Sequence, residues 1–289
     1  MPGLSGDPLL VRGEPGRRRL QAGQATPSHG GAASLKVLLF DLDGTLIRAR
    51  GAGRKALNRA IYRLHGIRRD FGIPNLAGRT DLYNFAQAFR AALGRAPSRA
   101  EAEKIHREYL RLLPGFVRQA VNAKAYRVMP GLRRLLAILH KDERVLLGLG
   151  TGNLEAGARI KLGPSGLLRY FRFGGFGADG LERYRLLRAA VRRARPFAGG
   201  RPIRPRDVFV IGDTPFDVAA GRKAGYRTIA VGTGYATMAE LAAARPDRLE
   251  KDFRDTESWL AGFGLRPRAA GRKRERSEKQ NLIVRETPS

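Results

Sequence analysis

The sequence contains no cysteine, which excludes disulfide bridges, thiolate nucleophiles and cysteine-based zinc sites together. Its histidines, His29, His65, His106 and His140, stand apart and share no metal-ligand spacing, so a histidine-held metal is not expected. No apolar run reaches the roughly eighteen residues that a membrane-crossing helix needs. Arg17, Arg18 and Arg19 are followed by Leu-Gln-Ala-Gly-Gln instead of an apolar stretch, which argues against a secretory signal. A cytoplasmic protein without a membrane partner is therefore expected. Internal repeats are absent. Acidic residues are scarce: 26 of them face 55 lysines and arginines, for a formal net charge of +29. Such a field attracts polyanions without reading their sequence. The basic residues are mostly arginine and scattered, except for one block from Arg266 to Arg276 beyond the apolar pair Trp259-Leu260. Weak, non-specific nucleic-acid binding through that basic tail is expected, and a nucleic-acid-associated protein is the rival reading it raises.

What is present is enough apolar material for a large core, 43% of 289 residues. Residues 1–33 are rich in Gly, Pro, Ser and Gln with little periodicity and predict a disordered tail; residues 263–289 predict a second, basic one. Between them, short apolar runs at Lys36–Phe40, Val145–Leu149, Phe171–Phe173, Val208–Ile211 and Thr228–Val231 alternate with helical patterns. That alternation predicts an α/β fold, a parallel sheet covered by helices. Leu132, Leu135, Leu136 and Leu139 follow helical spacing, and Pro215 to Ala224 closes on Gly225. After the first strand, Gly53–His65, Thr80–Leu93 and Ser98–Ala120 each read as amphipathic helices, the last opened by a Ser98/Glu101 capping box and carrying the stripe Ile105, Tyr109, Leu112, Phe116 and Ala120. Residues 50–124 therefore predict an all-helical cap inserted into a core made of 34–49 and 125–262.

The chemistry concentrates at strand ends. Asp41 and Asp43, in Phe40-Asp-Leu-Asp-Gly-Thr-Leu46, close a strand that reads as fully buried, the place where parallel sheets put ligands and catalytic groups. An aspartate there can attack phosphorus while a neighbouring acid protonates the leaving oxygen. An EF-hand loop starting at Asp41 would need glycine and glutamate where Leu46 and Ala52 stand. Gly150-Thr151-Gly152-Asn153 ends a second strand with groups able to approach a phosphate closely, although it is also a good turn. Gly212-Asp213-Thr-Pro-Phe-Asp217 ends a third. Asp213 with Asp41 makes a sensible Mg²⁺ site, whereas Asp217 reads either as a holder of a metal-bound water or as a helix-capping acid.

These motifs, in this order and with a helical insertion after the first, resemble the haloacid dehalogenase superfamily over about residues 35–260, most nearly its phosphoglycolate-phosphatase-like branch. The resemblance implies a Rossmann-like core, Asp41 as the aspartate that becomes phosphorylated, and Asp43 as general acid and then base. It further implies phosphoryl binding by Thr151, Gly152 and Asn153, and Mg²⁺ held by Asp41, the main-chain carbonyl of Asp43, and Asp213. A lysine that many members carry ahead of a helix is missing. Arg183 falls at that place and Arg185 is the alternative; arginine suits it because its planar fork grips phosphate. In the cap loop, Arg79 and Thr80 are candidates for substrate contact, with helix capping and a solvated surface as the other reading. The expected substrate is a small phosphorylated metabolite, phosphoglycolate-like or a sugar phosphate. A phosphomutase would use the same core, and a dehalogenase would need neither Asp43 nor Asp213.

Overall fold

The computed structural model describes residues 34–70 and 78–265; both expected tails, apart from 263–265, and Asn75, Leu76 and Ala77 of the cap loop lie outside the described residues. The chain enters through β1 (Lys36–Phe40). A two-stranded antiparallel ladder, β2 (Ile47–Ala49) with β3 (Tyr126–Val128), then brackets α1 (Ala52–His65), α2 (Asp81–Leu93) and α3 (Arg99–Asn122). Thereafter helices and strands alternate: α4 (Leu132–Leu139), β4 (Val145–Gly150), α5 (Glu155–Leu162), β5 (Phe173–Gly175), α6 (Arg183–Ala194), β6 (Val208–Gly212), α7 (Pro215–Ala224), β7 (Arg227–Val231), α8 (Met238–Ala243), β8 (Arg248–Glu250) and α9 (Thr256–Gly262). Among the described residues no helix is long and apolar enough to cross a membrane.

Six parallel strands form the sheet in the order β5-β4-β1-β6-β7-β8, as an α/β alternation requires. β1 sits inside it because both of its faces are apolar. Val37 and Leu39 pack with Leu186, Leu187 and Ala190 of α6, while Leu38 and Phe40 pack with the leucines of α4 and with Trp259, the period of two that a strand imposes. Phe40 is completely buried, and its truncation to alanine would cost about 3–5 kcal/mol through lost transfer energy and the cavity left behind. The register aligns Phe40 with Leu149 on one side and with Ile211 on the other. Chain order leaves β1 for β4 and β5, then returns to β6 on the opposite side, so the ends of β1, β4 and β6 meet at a topological switch point.

Several elements differ from the sequence pattern. The strand expected at Phe171–Phe173 lies at Phe173–Gly175, after a 3-10 turn over Leu167–Tyr170. Its glycines have a steric cause: a Cβ on Gly175 would stand 1.8 Å from the Leu186 carbonyl oxygen, because α6 lies against bare backbone there. β2, β3 and β8 are three residues each and carry Arg48, Arg127 and Arg248, too short and polar for an apolar-run reading. In α3 the fully buried stripe is Ile105, Tyr109, Leu113, Val117 and Ala120; Leu112 and Phe116 are only partly buried beside it. Phe263 and Leu265 are buried in the core, so the packed chain runs past the expected boundary at 262.

Candidate functional site

Two of the aligned strand ends, those of β1 and β6, and the first turn of α7 bring three carboxylates to one place. Asp41 follows β1 directly, its amide bonded to the Ile211 carbonyl of β6 at 2.9 Å. Asp213 follows β6 and is fully buried. Thr45 Oγ1 donates to its Oδ1 at 2.9 Å and the Tyr235 amide donates to its Oδ2 at 3.1 Å. Two glycines shape this cradle: a Cβ would lie 2.3 Å from Asp213 Oδ2 at Gly44, whose φ is +89°, and 1.7 Å from it at Gly234. Asp217 occupies the third position of α7 and closes a capping box, Oδ2 accepting from Thr214 N at 3.1 Å and Thr214 Oγ1 at 2.7 Å. One oxygen from each of Asp41, Asp213 and Asp217 falls within a 4.8 Å cluster.

Arg183, at the start of α6, enters this cluster. Its Nη2 binds Asp217 Oδ1 and stands 3.3 Å from Asp41 Oδ1, and its Nη1 donates to the Gly78 carbonyl at 3.0 Å. Burial disfavours its charge, but Asp217 and Asp41 outweigh that and raise its pKa. Arg185 lies instead on the surface, 3.5 Å from Glu182. Burial pushes Asp41 up to about 6, Arg183 opposing and Asp217 and Asp43 adding to the rise. Asp213 is also held well above the usual carboxylate range, by burial first and by Asp41 and Asp217 next. Closely packed acids with this little compensating charge constitute a site that favours a further cation.

The end of β4 supplies the opposite wall. Asn153 Nδ2 donates to Thr151 Oγ1 at 2.8 Å and to Asp43 Oδ2 at 3.0 Å. The sequence reading missed the residue that completes this wall. Lys161 of α5 is 5% exposed, and its ammonium donates to Asp43 Oδ2 and to Asn153 Oδ1, each at 2.6 Å. Although burial penalises the ammonium, Asp43, Tyr109 and Asp81 together raise its pKa. A signal was available: Gly157, Ala158, Lys161 and Leu162 form the buried face of α5, so Lys161 is a cation on an apolar stripe, eight positions after Asn153.

The inserted helices reach this wall through α2. Gly152 accepts a hydrogen bond from the Asp81 amide at 2.8 Å, and Asp81 Oδ2 accepts from the Leu154 amide at 3.0 Å. A Cβ on Gly152 would approach the Arg79 carbonyl oxygen to 2.4 Å, so glycine is required there for the two backbones to meet. Asp81 is pushed up to about 6 by burial, against the pull of Lys161. Of the two loop candidates, Arg79 lines the cavity with its guanidinium 4.2 Å above the Phe216 ring and 5.0 Å above Tyr83. Thr80 is buried as the α2 N-cap, accepting from the Tyr83 amide at 3.3 Å. Between strand ends and inserted helices lies a half-open cavity of about 510 Å³ whose lining includes Asp41, Asp43, Arg79, Asp81, Asn153 and Lys161. His65, His106 and His140 pack against aromatic rings elsewhere.

Comparison with known proteins agrees with this fold. No curated protein sequence matches the chain. Solved structures do match in fold: a predicted phosphatase from Clostridium acetobutylicum (TM-score 0.61, 19% identity, 79% of this chain and 99% of that one) and a predicted phosphoglycolate phosphatase from Haemophilus somnus 129pt (0.59, 18%, 80% and 100%). CbbY from Rhodobacter sphaeroides in complex with phosphate matches similarly (0.60, 21%, 80% and 100%). The haloacid dehalogenase-like hydrolase family matches residues 35–225, a span that holds every strand end described above. With the strand order, the carboxylate cluster and the family match all converging, the chain belongs to the haloacid dehalogenase-like hydrolases.

Proposed function

We propose that the protein is a Mg²⁺-dependent phosphatase that hydrolyses a small phosphomonoester through an aspartyl-phosphate on Asp41. The observation that carries this reading is the placement of Asp41 on the cavity lining, with Arg183 against one of its oxygens and Asp43 across the cavity wall. The donor set suits a hard divalent cation: the cluster is of buried carboxylate oxygens, more acid than the Arg183 beside it can match, with no sulfur or imidazole in it among the described residues. Asp41, Asp213 and the main-chain carbonyl of Asp43 would hold it; Asp217 is ion-paired with Arg183, whereas among the described residues Asp213 accepts only from the neutral Thr45 hydroxyl and Tyr235 amide. Bound there, the ion would neutralise charge developing on the phosphoryl oxygens.

In the first step Asp41 attacks phosphorus as the bond to the leaving oxygen breaks in line, and Asp43 gives that oxygen a proton. Arg183 and the Thr151 hydroxyl bind the equatorial oxygens, fixed donors aimed where charge accumulates. In the second step Asp43 takes a proton from water as the water attacks phosphorus, releasing phosphate and restoring Asp41. Lys161 and Asn153 both donate to Asp43 Oδ2, while Oδ1 carries no hydrogen bond from a described residue and serves the proton transfer. Asp41→Asn tests the core of this scheme: shape is kept, the nucleophile is lost, and turnover of p-nitrophenyl phosphate with Mg²⁺ should fall by about a thousandfold or more. Acid quench of the wild-type enzyme should trap phosphate on a peptide containing Asp41. Near-normal turnover by the variant would remove the covalent mechanism.

A further inference from the structure

The cavity has a wall that the reaction above leaves unused. Tyr109, on α3, is 1% exposed, and its ring packs on Phe85 with centroids 4.8 Å apart. Its hydroxyl has no hydrogen-bond partner among the described residues, although it belongs to a cavity-lining residue. A buried polar group left unpaired is costly and calls for an explanation. Burial and the nearby Asp81 raise the phenol further, so it stays protonated and keeps its hydrogen to donate.

Gly53, at the start of α1, lies against that hydroxyl. It is the second residue of α1 and its φ is not positive, so backbone conformation does not demand glycine there. A Cβ at this position would lie 3.1 Å from Lys161 Nζ and 3.3 Å from the Tyr109 oxygen. Those separations are tight even for a methyl group, so the α1 backbone passes close over both groups and marks where they come together. Two of the three Lys161 donors are committed to Asp43 and Asn153, which leaves one. A phenol and an ammonium hydrogen therefore lie near each other on the cavity wall beside Asp43, the side from which the leaving oxygen is protonated.

We infer that Tyr109 is a specificity-determining residue whose hydroxyl, with Lys161 beside it, receives a hydroxyl of the leaving alcohol adjacent to the phosphoester oxygen, making esters of hydroxylated alcohols the preferred substrate class. This rests on the phosphomonoesterase reading. A neutral hydroxyl fits better than a carboxylate: Lys161 is already matched by Asp43, Asp81 is close, and a further anion would meet both acids. A hydroxyl can also accept from Tyr109 and donate in turn.

The test compares kcat/KM for 2-hydroxyethyl phosphate, ethyl phosphate and 2-phosphoglycolate in the wild type, Tyr109→Phe and Gly53→Ala. The wild type should favour 2-hydroxyethyl phosphate over ethyl phosphate by about tenfold or more, the worth of one good hydrogen bond. Both variants should bring that ratio close to one, chiefly through a higher KM for the hydroxylated ester. Gly53→Ala is a second, independent variant: it keeps the phenol while its methyl group presses on both Lys161 Nζ and the Tyr109 oxygen. A wild-type ratio near one, a preference kept in both variants, or a Tyr109-dependent preference for 2-phosphoglycolate would each overturn the inference. Calorimetric binding of 3-hydroxypropylphosphonate against propylphosphonate reads the same subsite without turnover. Tighter, Tyr109-dependent binding of the hydroxylated compound by a protein that hydrolyses no ester would uphold the subsite and remove the phosphatase reading. Equal binding of the two would overturn the subsite itself.

Discussion

At the scale of single residues, the site is governed by how few cations stand among its acids. Arg183 touches both Asp41 and Asp217, whereas Arg185, two positions on, meets only Glu182 at the surface. Arg183→Ala should therefore lower kcat/KM for phosphate monoesters by about a hundredfold or more, since it removes a charge-assisted contact aimed at the transferring group. Arg185→Ala should stay within about twofold, as an exposed ion pair contributes little. The reverse ranking in steady-state kinetics would move the role to Arg185. The raised Asp41 carboxyl sets a pH dependence whose sign is opposite to that of a salt-bridged aspartate. With a folded value near 6 against an ordinary 3.8, the folded chain holds this proton more tightly than the unfolded chain does. Stability is lost as pH rises from about 4 through about 6, and above that range the ionised cluster is free to take up metal. Mg²⁺ should accordingly raise the melting temperature by several degrees at pH 7.5 and hardly at all at pH 5, as scanning calorimetry at both pH values would establish. An equal effect at both would mean that Asp41 is not a ligand.

At the scale of elements, the contact between α2 and the end of β4 decides where the inserted helices stand. Asp81 begins α2, yet its side chain satisfies the amide at the start of α5, and its own amide bonds Gly152. Asp81→Ala leaves the buried Leu154 amide without its acceptor and should cost about 1–3 kcal/mol in chemical denaturation. Asp81→Asn keeps an acceptor oxygen and removes the charge that burial penalises. Because the Asp81 carboxyl is raised to about 6, that penalty operates only above this pH. The asparagine variant should therefore be clearly more stable than the alanine variant at pH 7.5. If both lost the same stability, the hydrogen bond to Leu154 would contribute nothing. Much of this level was legible beforehand: the capping box of α3, the glycine stop of α7 and the boundaries of β1 and β6 follow from local chemistry that acts within a few residues. The short strands β2, β3 and β8 were not, because their stability comes from the partner strand and not from their own composition.

At the scale of the whole molecule, the compact basic block and the chemistry separate along the sequence. Every group assigned to the reaction lies between Asp41 and Asp217, and the basic block begins at Arg266. Removing residues 266–289 should weaken binding to mixed-sequence DNA at low salt and flatten its salt dependence. Turnover of small phosphate esters should stay within about twofold of the intact chain. A truncated protein that remained folded but lost its turnover would tie the tail to the primary activity.

Some of this was settled by residues alone. Asp-Leu-Asp-Gly-Thr after a buried strand, Thr-Gly-Asn after another and Gly-Asp-Thr-Pro-Phe-Asp after a third state a phosphate chemistry, because each motif carries its own turn, donors and acids within a handful of positions. Which of them meet was decided only by the sheet, whose parallel register sets Phe40 beside Leu149 and Ile211 and so brings together the strand ends that lead into residues 41, 151 and 213. Lys161, Asp81 and Tyr109 lay beyond local reading for the same physical reason. A lysine in a helix, an acid in its first turn and a tyrosine in an apolar stripe each have an ordinary local explanation. What each does here depends on burial and on partners brought from distant parts of the chain, which only the packed structure supplies.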